Sequence, residues 1–374
     1  MRELSDIIQA YRTSTRASKH AALATVVRVT GSAYRRPGAR LLIIEDGQTI
    51  GGISGGCLEA DVALRARNVL RDGLPQVACY DNRRDREQIF GVGGGCNGTI
   101  EILIEPLKSA SHDNPVEILS AVLKSRRPAT MATIFAAAGD HPPIGQRLVR
   151  ASASDDACTI QSAALAQCVR ELVDRGVSGV HEILADGARF SLAVETIRPP
   201  QWLVVFGAGS DAVPLVNMAR ELGWFVTVAD HRHTLATPAR FPAADQIFSD
   251  PPEEVIDQIG IAGDAAVVVM THDFDRDRRL LAKLLGMQSA YLGVLGPARR
   301  TDRLIEGMPR TVGKIFSPIG LDLGAETPQE IALSILAEIQ SVLKARAARP
   351  LSERNGPIHE PAPRLQLASC INRV

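Results

Sequence analysis

Cys57 is the one nucleophilic side chain in GGISGGCLEAD, residues 51–61, which ends a strand-like run, packs four glycines into six residues and opens a helix. A thiol at a helix start lies among unsatisfied amides and the positive end of the helix dipole, an environment that favours phosphate, carboxylate or thiolate. Gly51, Gly52, Gly55 and Gly56 let such a group approach the backbone closely. The chemistry recurs in GVGGGCNG, residues 91–98, where five glycines, among them Gly95, surround Cys96. Tight turns around small buried thiols are the competing reading, because free cysteine is among the most buried residue types. Two such loops, with Arg35, Arg36 and Arg40 close in sequence, favour a ligand site. If the fold brings these arginines beside the Cys57 loop, they form a clamp for an anionic ligand.

A third glycine turn follows the apolar run Trp202–Phe206: Gly207, Gly209 and Ala212 match GxGxxA. Asp230 ends the next strand about 20 residues on, where a dinucleotide fold places its ribose-binding carboxylate. His231 and Arg232 blur the choice between NAD and NADP, and the same glycines in an empty turn would only shape the sheet. His272, in THDFDRD, falls at the ligand-facing edge of such a sheet, while Asp273, Asp275 and Asp277 read as a solvated helix start rather than metal ligands.

These groups need elements to hold them. Leu58, Val62, Ala66, Val69 and Leu70 recur at three- and four-residue intervals before Gly73 and Pro75, which predicts a helix over 57–71 with Cys57 in its first turn. A short helix within 1–18 and strands over 22–29, 41–44 and 48–53 precede it, with Arg35, Arg36 and Arg40 near the tip of a hairpin. Strands are expected at 76–80 and 99–105, a solvated loop at DNRRDRE, 81–87, then helices at 114–126 and 162–175 and strands at 131–136, 147–151 and 190–196. After Arg198-Pro199-Pro200, strands at 202–206, 225–229, 265–270 and 291–295 alternate with helices, and Thr327, Pro328 and Glu330 open a last helix to about 344. The fold class is α/β: an N-terminal mixed α/β domain over 1–198 and a C-terminal Rossmann-like, doubly wound parallel sheet over 199–347. A proline-rich tail over 348–374 is expected to be mostly unstructured.

Composition excludes several classes. Forty-two basic residues against 42 acidic ones leave no net field for nucleic acid or a membrane surface. No run reaches the roughly 18 apolar residues of a membrane span, and MRELSDIIQAYR has neither the charge order nor the apolar block of a signal peptide. A cytoplasmic location is expected, with the six cysteines reduced and no CxxC pair for zinc or redox chemistry.

TGSAYRRPGAR, GGISGGCLEADV, GGGCNGTIEILIEPL, FGAGSDAVPLVNMARELGWFVTVADHR, THDFDRDRRLL, YLGVLGPARRTDRL and SPIGLDLGAETPQEIALSILAEI together resemble the XdhC/CoxI family, accessory proteins that mature molybdenum hydroxylases such as xanthine dehydrogenase. The strings cover nearly everything from about residue 20 to 345, apart from the region between Glu105 and Phe206. The resemblance implies a chaperone-like protein that binds molybdenum cofactor, holds it while a cysteine desulfurase helps install a terminal sulfido ligand, and delivers it to the apo molybdenum hydroxylase. Carried over, the family's SGGC cysteine is Cys57 and its GCNG cysteine is Cys96. Two other readings stay open: an NAD(P)-dependent oxidoreductase using Gly207, Gly209 and Asp230, and an interaction scaffold with an empty nucleotide fold. A homodimer is expected on general grounds.

Overall fold

The computed structural model describes residues 2–31, 33–81, 98–108, 113–137, 144–152, 155–308, 314–355 and 367–369. The chain divides into two compact units, meeting in sequence at Pro199 and Pro200. Cys96, Gly95 and most of the DNRRDRE loop lie outside the described residues.

The N-terminal unit opens with helix α1 (Arg2–Arg16) and strands β1 (Ala21–Gly31), β2 (Arg40–Ile44) and β3 (Thr49–Gly51), followed by α2 (Glu59–Asp72), β4 (Gln76–Asp81) and β5 (Gly98–Pro106). It continues through α3 (Pro115–Ser125), β6 (Ala129–Ala137), β7 (Arg147–Ser152), β8 (Asp155–Cys158), α4 (Ala163–Asp174), β9 (Gly179–Ala185) and β10 (Ala188–Ile197). The expected meander forms, in a five-stranded sheet of order β3-β2-β1-β5-β4. Alternation along β1 sends Ala22, Ala24 and Val26 to the α2 side and Ala21 and Leu23 to the α1 side. Between Val26 and Arg28 the pairing with β5 slips by one residue. That bulge turns Arg28 away from the α2 side, where it donates to Glu101 of β5 and Glu182 of β9.

The second sheet runs β9-β10-β6-β7-β8, with α4 packed on one side through Leu165, Val169 and Leu172. Sequence periodicity missed β8, which has only four residues, and β9, whose sequence GVHEILA does not alternate apolar with polar although its burial alternates. Val27 and Leu103 of the first sheet meet Phe135 of the second. Beyond Arg28, two more arginines tie the sheets together: Arg40 pairs with Glu195, and Arg147 with Glu105.

The C-terminal unit holds β11 (Trp202–Phe206), α5 (Ala212–Glu221), β12 (Phe225–Ala229), β13 (Gln246–Phe248), α6 (Pro252–Ile259), β14 (Ala266–Val269), α7 (Phe274–Leu284), β15 (Tyr291–Val294), α8 (Ala298–Leu304), β16 (Ile315–Phe316) and α9 (Pro328–Leu343). All its strands are parallel, in the order β13-β12-β11-β14-β15-β16, so the order reverses between β11 and β14, where doubly wound sheets bind ligands. Leu203 and Val205 face α5 and α9 while Trp202, Val204 and Phe206 face α6 and α7, which is why this strand reads as an unbroken apolar run. The capping box at Thr327 and Glu330 forms as the sequence predicts. Within the stretch expected to be tail, β17 (Leu367–Ser369) pairs in parallel with the outer edge of β9. No helix among the described residues is long and apolar enough to cross a membrane.

Candidate functional site

The Cys57 turn differs from expectation in one respect that decides its chemistry. Helix α2 starts at Glu59, not at Cys57, and the Glu59 carboxylate folds back into the glycine turn. Its Oε1 accepts from the amides of Ile53 at 3.0 Å and Ser54 at 2.9 Å, and its Oε2 from those of Gly56 at 3.0 Å and Leu58 at 3.2 Å. The Ser54 hydroxyl donates to the same carboxylate and accepts from the Leu58 amide at 2.9 Å. Burial alone would push this carboxyl up, but the Ser54 hydroxyl and the amides outweigh it and hold it at about 2. The amides expected to meet a ligand anion are thus turned onto the protein's own acid, and Cys57 is left exposed two residues ahead of the helix. A tight turn around a buried thiol is therefore excluded for Cys57.

Tyr34 lies against Gly55, whose φ of +88° favours glycine and where an added Cβ would stand 2.9 Å from the exposed ring unless the ring moved aside. The Gly52 amide donates to the Arg40 carbonyl at 2.9 Å, so the hairpin connection and the Cys57 turn are neighbours. The three arginines nevertheless do not converge on the thiol. Arg35 grips both oxygens of Glu3 at 2.7 and 2.8 Å, and Arg40 is buried against Glu195 and donates to the Gly38 carbonyl at 2.8 Å. Arg36 is exposed and lines, with Arg40, a cavity between the two sheets. Asp61, which could oppose a thiolate, is taken up by Arg65 at 2.7 Å and the Tyr80 hydroxyl at 2.5 Å.

The Gly207 turn is also filled from within. Gly207 has φ +127°, and a Cβ there would stand 2.4 Å from the Met270 carbonyl oxygen, so the close approach of β11 to β14 requires glycine. Asp230 is 1% exposed; its Oδ2 accepts from the Ala208 amide at 2.6 Å and from Arg232 Nη2 at 2.6 Å, and its Oδ1 from the amide and Nε of Arg232 at 2.8 and 2.9 Å. Burial pushes its carboxyl up, but the Arg232 guanidinium and the two amides hold it below the usual range. The acceptor that a ribose diol would need is engaged by the protein's own donors. Beside Gly209, Asp211 caps α5 and accepts from His272 Nε2 at 2.9 Å. His272 has φ +63°, a conformation costly for a non-glycine residue, at the point where the strand order reverses.

Asp273 caps α7 as expected, but Asp277 is not solvated: it is 1% exposed and bonded to Thr271 Oγ1 at 2.5 Å and Arg300 Nη2 at 2.7 Å. Placed in the first turn of α7, it points to the sheet rather than outward, because residues three and four apart share a helix face, here with Leu280 and Leu281. Glu59 is the residue of this turn whose role sequence reasoning missed. An acid directly after a glycine run, in the first helical turn, is the signal that finds it.

The profile described as the XdhC Rossmann domain matches residues 203–339, and that of the XdhC and CoxI family matches residues 14–81. A Bacillus subtilis protein named as a probable subunit of xanthine dehydrogenase is 33% identical over 86% of this chain and 92% of its own length. The Escherichia coli molybdenum cofactor insertion chaperone PaoD is 26% identical over 87% of this chain and 84% of its own. A crystal structure described as a xanthine dehydrogenase from Bacillus halodurans superposes with a TM-score of 0.75 at 29% identity, over 92% of this chain and 98% of that one.

Proposed function

Because the chain belongs to the XdhC and CoxI family, we propose that it is an accessory protein that binds molybdenum cofactor as cargo and delivers it to an apo molybdenum hydroxylase of the xanthine dehydrogenase type. The observation that carries this reading is the exposed thiol of Cys57 on a turn that Glu59 rigidifies. Molybdenum is a soft centre and thiolate a soft donor, so a protruding cysteine suits transient capture better than a cage of oxygen ligands would. The name of the Escherichia coli relative, an insertion chaperone for the same cofactor, supports the role. Cys96 is a second thiol proposed for the cargo, and a cysteine desulfurase the proposed source of the terminal sulfido ligand. The proposed setting is a cytoplasmic homodimer.

An NAD(P) site at Gly207 and Gly209 remains a subordinate reading, since a dinucleotide would have to part Asp230 from Arg232. Titration with NADPH, followed by quenching of Trp202 and Trp224, tests it; no saturable signal ends it.

Purification from a molybdenum-replete host, followed by oxidation and pterin fluorescence, tests the main reading. Wild-type protein is expected to carry pterin, and Cys57→Ser to lose most of it. Equal pterin in both would remove the thiol from the site.

A further inference from the structure

The two sheets of the N-terminal unit leave between them a cavity of about 510 Å3. Its walls carry the hydroxyls of Thr25, Thr133, Ser178 and Thr196, and its charged groups are four arginines against two glutamates. Arg40 and Arg147, whose side chains are 8% and 3% exposed, stand at the floor, paired with Glu195 and Glu105. Arg36 and Arg198 are exposed and stand at the opening, and Arg198 has no ion pair among the described residues. The lining therefore carries two more positive charges than negative ones. One donor is also left over: Arg40 Nε is buried with no hydrogen-bond partner among the described residues. A buried donor of this kind carries an uncompensated desolvation cost unless something occupies it.

We propose that this cavity binds a phosphomonoester, its dianionic phosphate held between Arg36 and Arg198 and its body directed toward Arg40. The excess of positive charge along the lining matches the charge of a phosphate dianion, and planar guanidinium forks are the side chains best suited to its oxygens. The volume exceeds what an inorganic ion fills and falls in the range of small-molecule pockets. The site stands independently of the Cys57 thiol. The phosphate could belong to a free metabolite or to the pterin cargo, and the two sources separate experimentally.

Phenyl phosphate titrated into cargo-free full-length protein by calorimetry is the test, with phenol as the uncharged comparison. Saturable binding of phenyl phosphate and none of phenol is expected. The doubly substituted Arg36→Ala/Arg198→Ala protein, altered only at exposed positions, is expected to bind at least tenfold more weakly with an unchanged melting temperature. Arg299→Ala, an exposed charge of the other unit, is expected to leave binding unaltered. Absence of saturable binding, or equal weakening by Arg299→Ala, overturns the proposal. Pterin retention measured on the double variant identifies the source: lost retention together with lost phosphate binding assigns the cavity to the cargo's phosphate, and intact retention with lost phosphate binding assigns it to a separate metabolite. Arg40→Ala is uninformative here, because it strands Glu195 in the interior.

Discussion

The Cys57 turn and the Gly207 turn are built from similar parts, a strand end, glycines and a helix start, and each is filled by a carboxylate of the protein itself. They differ in where that carboxylate comes from. Glu59 follows its turn directly in sequence, whereas Asp230 reaches the Ala208 amide from the end of a neighbouring strand. The first turn is therefore a local device that closes on itself and thrusts a thiol outward. The second is locked by sheet pairing, with its acid buried under Arg232. A glycine turn at a helix start is thus not by itself evidence of an open anion site; the position of the nearest acid decides what remains for a guest.

Substitutions can break this contrast. Gly207→Ala should be the most damaging, at about 3 kcal/mol or more, because the new Cβ meets backbone that cannot move aside; denaturant melts of the full chain measure it. Glu59→Gln should cost about 2 kcal/mol, since several amides lose a charged acceptor. Gly55→Ala should cost only about 1 kcal/mol, the penalty of a left-handed backbone, because the Tyr34 ring it meets is exposed and free to swing. Similar losses for the two glycine variants would erase the distinction between a local and a sheet-locked turn. Cys57→Ser should change stability by less than about 0.5 kcal/mol while reducing pterin retention.

Acid sharpens the same comparison. The folded Glu59 carboxyl is held at about 2, below its ordinary value of 4.5, so its contribution is complete above about pH 4.5 and is lost as pH falls through the folded value. Wild-type stability should therefore fall more steeply than that of Glu59→Gln between pH 4.5 and 2. Parallel acid titrations of the two proteins would show it, and identical slopes would mean that Glu59 is not the titrating brace.

Much of the C-terminal unit was legible because a sheet covered on both sides needs unbroken apolar strands, as Trp202–Phe206 and Ala266–Val269 supply. The two-residue strand β16 and the three-residue β13 were not, since so few residues carry no period. In the N-terminal unit the meander and α2 were legible from turn dipeptides and three-to-four spacing. The inter-sheet partners were hidden: nothing near Arg40 or Arg147 in sequence announces Glu195 or Glu105, which lie 155 and 42 residues away. For the same reason Arg35, Arg36 and Arg40 looked like one cluster at the thiol, although the hairpin connection sends Arg35 to Glu3 and turns Arg36 and Arg40 to the cavity between the sheets.

Arg28, Arg40 and Arg147 each join one strand layer to the other, and the bulge in β1 exists at the place where the first of them turns across. Such cross-bolts resist shear: sliding either layer by a single residue would part every one of them at once. The front half of the chain should accordingly melt in one step and tolerate no cut between its layers, so a fragment ending near residue 108 would strip Glu182 from Arg28, Glu195 from Arg40 and Arg147 from Glu105, and fail to stand alone.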